Sequence, residues 1–108
     1  MLQWKVPENF DSFQANPVTV TFKTATTTLT DNQIDITGED TAGTALTLTT
    51  ATDLVGAAAD TWEDQSVGIT GGTFTPGELI NLKFKVQADN TNTGETYLGP
   101  VKINYVTQ

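Results

Sequence analysis

The sequence predicts an all-β fold, an antiparallel β-sandwich of Greek-key or jelly-roll type with about six to eight short strands. Three observations carry that expectation. Threonine supplies 22 of the 108 residues, and its branched Cβ packs well on a pleated surface but loses freedom in a helix. Several short segments alternate apolar and polar residues at period two, the pattern of a half-buried strand. Clusters of turn residues separate these segments at short intervals. The chain has the length of one domain and can bury roughly two thirds of the surface exposed when unfolded.

Residues 1–15 form an N-terminal arm with a heavy apolar load: Leu2, Trp4, Val6, Phe10 and Phe13, interrupted by Pro7 and without strict alternation. Such an arm either wraps the domain's own core or anchors to a neighbouring subunit, because aromatic anchors dominate interface energetics. The sandwich is expected over residues 16–108, and to stay folded when residues 1–10 are removed. Val18, Val20 and Phe22 alternate with Thr19, Thr21 and Lys23 and open it. The run Thr24–Thr30 fits one edge strand and a turn, with flat polar faces that specify register weakly. Ile34 and Ile36 around Asp35, then Leu46 and Leu48 around Thr47, give two more strands.

Between Asp53 and Asp64 the alanines at 57–59 are good helix formers and Asp60 could cap a turn starting after it. A short helical turn is expected there if anywhere, with Gly56 working against it. Val67 and Ile69, then Phe74 beyond Gly71-Gly72, read as a further strand or a tight hairpin. Thr75-Pro76-Gly77-Glu78 has type II turn chemistry, since proline pre-sets φ and glycine tolerates a positive one. The clearest strand comes next, from Leu79 to Gln87, with Ile80, Leu82, Phe84 and Val86 on one face and Asn81, Lys83 and Lys85 on the other. Leu98-Gly99-Pro100 predicts a bulge or bend ahead of a last strand with Val101, Ile103 and Tyr105 on one face. The polar stretch 88–95 between these two strands predicts that they are antiparallel neighbours joined by a long hairpin loop.

Composition removes several function classes. There is no cysteine, no histidine and no arginine; every cation is a lysine. Thiolate metal sites, thiol nucleophiles and imidazole bases are therefore excluded, as are bidentate guanidinium grips on phosphate. A net charge of -8 repels a polyphosphate backbone, so no direct nucleic-acid partner is expected. The same charge serves solubility or attracts a basic partner surface. No apolar stretch after Met1 reads as a secretory signal, and no segment approaches the roughly 20 apolar residues of a membrane span.

Paired carboxylates are the remaining catalytic device, and Asp35, Glu39, Asp40, Glu63 and Asp64 are the candidates. Nothing in the sequence raises one of them or brings two together, so an enzyme is not expected. Asp89, Asn90, Asn92 and Glu95 around Gly94 supply hard oxygen ligands for calcium, but Thr91 and Thr93 interrupt the alternation of an EF-hand loop. A solvated loop is the simpler reading, and no cofactor is expected. Trp4, Trp62 and Tyr97 could form a platform for a sugar's apolar face. Trp62, in the polar run Asp60-Thr61-Trp62-Glu63-Asp64, is the better placed to be exposed, against a partner subunit or a glycan.

Three blocks also resemble a known group. They are Trp4-Lys5-Val6-Pro7-Glu8-Asn9-Phe10 followed by Val18-Thr19-Val20-Thr21-Phe22, then Pro76-Gly77-Glu78-Leu79-Ile80, and the closing Leu98-Gly99-Pro100-Val101-Lys102-Ile103-Asn104-Tyr105. Together the chain resembles the small β-sandwich proteins of tailed-phage particles, head decoration (cement) and tail-associated proteins. The resemblance implies a non-enzymatic virion protein, assembled in the host cytoplasm in many copies, with trimers favoured, and bound to the major capsid protein or another virion subunit. Leu2, Trp4, Val6, Phe10, Phe13 and Trp62 are then the expected contact residues. The alternative is a carbohydrate-binding or tail-fibre adhesion module using Trp62 or Tyr97.

Overall fold

A computed structural model describes residues 1–88 and 95–108. Among them seven strands occur and no helix: β1 (Leu2–Lys5), β2 (Phe10–Thr24), β3 (Asn32–Glu39), β4 (Thr47–Thr49), β5 (Glu63–Thr70), β6 (Leu79–Ala88) and β7 (Thr96–Thr107). They form two antiparallel sheets, ordered β1-β6-β3 and β4-β5-β2-β7. The antiparallel sandwich predicted by the period-two segments is the fold. Only β4 and β5 are both consecutive and paired, and every other connection crosses between sheets. In the constant-type immunoglobulin sandwich, strands A, B, E and D share one sheet and C, F and G the other. Here the first strand lies where G belongs, beside β6, and the last where A belongs, beside β2.

The inward residues follow the alternation in the sequence. Val18, Val20 and Phe22 of β2, Ile34 and Ile36 of β3, Val67 of β5 and Leu82 of β6 form the main core, closed by Ala51 and Leu54. A second cluster of Val6, Phe10 and Ile80, with Trp4, Phe13, Phe74 and Tyr105 packed on it, fills one end of a molecule 47 Å long. Each fully buried aliphatic or aromatic side chain contributes about 1.5–3 kcal/mol relative to exposure.

Two local expectations hold in detail. Glu78 N–H donates to Thr75 O at 3.1 Å with Gly77 at φ 86°, closing the type II turn that feeds β6. In the β2–β7 ladder Val20 faces Val101 and Phe22 faces Leu98, so Gly99 and Pro100 together oppose Thr21 and form the bulge.

Other expectations are corrected. The two C-terminal strands are not neighbours: both edges of β6 are taken, by β1 and β3, while β7 pairs with β2 in the opposite sheet. Period two identifies a strand's buried face and leaves its partner open. No helical turn forms between Asp53 and Asp64. Leu54 bridges to Ile34, Asp53 and Asp60 adopt φ of 57° and 52°, and Gly56 N–H donates to the buried Thr24 hydroxyl at 2.9 Å. Burial of Ala51 and Leu54 overrides the helix propensity of the alanines. No edge strand occupies 25–30; β2 ends at Thr24, and turns come after it.

The N-terminal arm is part of the sandwich. Leu2–Lys5 is a sheet strand against Leu79–Leu82, and position 15 lies within β2. Removing residues 1–10 therefore deletes an edge strand together with Val6 and Phe10, which are buried, so a truncated chain is not expected to stay folded.

Asp40, buried beside β3, ties two loops. Its Oδ2 accepts from Thr73 N–H (2.9 Å) and its Oδ1 from Thr44 N–H (3.0 Å) and Ala42 N–H (2.9 Å). Those backbone donors, Thr73 first, hold its carboxyl below the ordinary value of 3.8. A carboxyl depressed on folding stabilises the protein above its unfolded value, and this contribution is lost as pH falls through the folded value. Thermal stability should therefore decline with acidification from about pH 5 downwards. Asp40→Asn, which turns an amide donor toward backbone donors, should lower the melting temperature at neutral pH and flatten that decline. Calorimetry across the pH series measures both.

Candidate functional site

Five of the six expected contact residues belong to the chain's own packing. Val6 and Phe10 are buried, Trp4 and Phe13 are half-buried, and all four meet in the second cluster. The Trp4 ring centroid lies 5.7 Å from that of Phe13 and 5.6 Å from that of Tyr105, and Phe13 packs edge-on against Phe74 at 4.7 Å. Leu2 packs instead on the main core. Trp62 is apart from these, 51% exposed, at the far end of β2 and β7.

There Trp62 is one member of a row across the outer face of the four-stranded sheet. Lys23 of β2 faces Tyr97 of β7 in register, and Trp62 immediately precedes β5 on the other side. The Lys23 ammonium lies 5.2 Å from the Trp62 ring centroid and 4.9 Å from that of Tyr97, a double cation–π contact. Tyr97 is 43% and the adjoining Leu98 39% exposed.

The chain fixes this row from several directions. Gly99 makes room for the indole, since a Cβ there would sit 3.0 Å from Trp62 Cζ3. The loop before Trp62 is tied down where Asp60 N–H donates to Thr24 O at 2.9 Å and Ala57 N–H donates to Glu63 Oε1 at 3.1 Å. Tyr97 Oη donates to Glu95 Oε2 at 2.6 Å. That hydrogen bond first, then the charges of Glu95 and Asp60, pushes the phenol above its ordinary value. Thr21 Oγ1 donates to Asp64 Oδ1 at 2.6 Å beside the row. The result is an aromatic, centrally cationic strip rimmed by carboxylates.

Four of the five carboxylate candidates, Asp35, Asp40, Glu63 and Asp64, are engaged in hydrogen bonds. Asp35 accepts from Asp53 N–H (2.8 Å), Gln33 Nε2 (2.7 Å) and Gln87 Nε2 (3.2 Å). The first two donors, assisted by Lys85, hold it below its ordinary value. Asp35 and Asp40 are thus biased toward the ionised form, the opposite of a general acid. Glu63 caps the turn at 57–58. Of the suggested calcium ligands, Asp89, Asn90 and Asn92 lie outside the described residues, and Glu95 is engaged by Tyr97. Among the described residues no group of three Asp, Glu, His or Cys is placed to hold a metal ion.

Sequence reasoning singled out Trp62 and Tyr97 but not Lys23. The available signal was parity: Lys23 shares the outward face of β2 with Thr19 and Thr21. The neighbours of Lys23 depend on register, which the sequence does not print. No family model, no curated protein and no solved structure matches this chain.

Proposed function

We propose that this chain is a non-enzymatic virion structural protein, a capsid decoration or cement protein that binds the major capsid protein or another virion subunit in many copies. The observation that supports this reading is the Trp62–Lys23–Tyr97 row, which leaves two large aromatic side chains about half exposed on a sheet face. Tryptophan and tyrosine are the residues most enriched at interface hot spots. The row rests on loop and bulge contacts that hold it before any partner arrives, which lowers the ordering cost of binding. The missing histidine, cysteine and arginine, and the resemblance of the sequence blocks, point the same way. Docking is thereby assigned to Trp62, with the N-terminal residues supporting the domain from within.

A carbohydrate-binding or tail-fibre adhesion module is the second reading, favoured by the same pair of half-exposed rings. The Lys23 ammonium lies over a face of each ring, and that face of each is taken.

Co-sedimentation with capsids that lack the protein tests the proposal. The unmodified chain should saturate them, and Trp62→Ala should weaken binding about 30-fold, the ~2 kcal/mol of a hot-spot residue, with an unchanged circular dichroism spectrum. Equal binding by both proteins removes this face from the interface. Glycan-array binding that depends on Trp62, without particle binding, selects the adhesion reading.

A further inference from the structure

Four strands bound the two sheets: β1, β3, β4 and β7. An edge strand presents unpaired N–H and C=O groups that can template another strand. Three of these edges are short or closed. β1 has four residues and β4 three. The outer edge of β3 is sealed by the segment 46–54: Ile34 N–H donates to Leu54 O (2.9 Å), Leu54 N–H to Ile34 O (3.0 Å), Ile36 N–H to Ala51 O (2.7 Å) and Leu46 N–H to Gly38 O (2.8 Å).

β7 differs, with twelve residues and a ladder to β2 along one side. Among the described residues no backbone hydrogen bond reaches the other side of Val101–Thr107. Its two halves are also unlike. The first carries the devices that keep an edge from pairing: the bulge at Gly99, Pro100 without an N–H, and Lys102. The second, Ile103-Asn104-Tyr105-Val106-Thr107, carries no proline, glycine or charge, and four of its five residues favour strands. Val106 is 42% exposed.

We propose that Ile103–Thr107 is a self-association edge that pairs antiparallel with the same segment of a second copy, about a two-fold axis through Tyr105. Charge selects a second copy as the occupant. Two chains of net charge -8 repel overall, and this is a stretch where they meet with no carboxylate opposed. A basic partner strand would find no acidic residue in it. Lys102, the single charge in β7, faces position 108 of the copy in this register and is kept from its own equivalent. Tyr105 meets Tyr105, and Asn104 lies opposite Val106 with Cβ atoms about 4.5–5.5 Å apart. Two four-stranded sheets then run on as one continuous sheet. This inference does not depend on the virion reading, and it gives a dimer where the resemblance implies trimers.

The chain has no cysteine, so single-cysteine variants test the register directly. Mixed and oxidised, Asn104→Cys and Val106→Cys proteins should give a disulfide-linked heterodimer, and neither alone should crosslink. Sedimentation over a concentration series should show dimers of the unmodified chain. Val106→Lys, whose ammonium would lie diagonal to Lys102 and to the substituted position 106 of the copy, should weaken association roughly tenfold. Val106→Glu, which sets an attraction to Lys102 of the copy against one carboxylate–carboxylate contact, should weaken it less. A chain that stays monomeric throughout, a trimer indifferent to both substitutions, or crosslinking as strong within each single variant as between them overturns the proposal.

Discussion

Phe10→Ala should lower the stability of the chain by about 3–5 kcal/mol, a large share of the ~5–15 kcal/mol available to a domain. Phe10 is 7% exposed and touches every other ring of the second cluster. Its centroid lies 5.0 Å from Phe13, 6.2 Å from Phe74, 6.2 Å from Tyr105 and 6.3 Å from Trp4. Truncation loses the buried area of one ring and leaves four others facing a void, since their positions are fixed by four separate segments: β1, β2, β7 and the loop at 74. Edge-to-face pairs add about 0.5–1.5 kcal/mol each beyond area. Urea unfolding by fluorescence and by far-ultraviolet dichroism measures the loss. Coincident transitions shifted together mean that both clusters belong to one cooperative unit. A loss below about 1 kcal/mol would show that this end opens independently of the main core.

Leu82→Ala should cost about 2–5 kcal/mol, from the other cluster. Leu82 is 1% exposed at the centre of β6, where its Cα partners are Leu2 in β1 and Gly38 in β3. The position cannot collapse easily because strands flank it on both sides. Gly38 belongs to the same arrangement: a Cβ there would meet Leu82 Cδ2 at 2.9 Å and the backbone oxygen of Asn81 at 2.6 Å. Removing the leucine relieves only the first contact, so Gly38→Ala should remain destabilising in the Leu82→Ala background. Chemical denaturation of the two single variants and the double variant measures the coupling.

The parts of the fold set by local chemistry were legible in the sequence. Ile80 and Leu82 are buried as their alternation requires, and the Pro76-Gly77 turn and the Gly99-Pro100 bulge form where their residues demand. The same alternation overreaches at Val86, which continues the apolar face but is 43% exposed, because the core ends before the strand does. Pairing was not legible: nothing in β6 or β7 states that each prefers a strand from the far half of the chain. At the candidate site, Trp62 was conspicuous as an aromatic among carboxylates, whereas Lys23 gains its role only when two distant segments flank it. The N-terminal aromatics were conspicuous for a different reason, the heavy apolar load of a segment without strict alternation. Their burial depends on proline and bulge geometry, with Asn16 at φ 47° next to the buried Pro17, which lets β2 run on past an irregularity to Phe10.

The near absence of consecutive paired strands bears on how quickly the chain reaches this state. Each sheet closes only when segments from opposite halves of the sequence meet, so loop-closure entropy is lost before most ladder bonds or buried area compensate. All-β domains of such topology fold in roughly milliseconds to seconds. During that interval β2, the hub of its sheet, waits with both edges bare. The guarded half of β7 and the acidic surface then act as protection for the folding molecule as much as for the finished one.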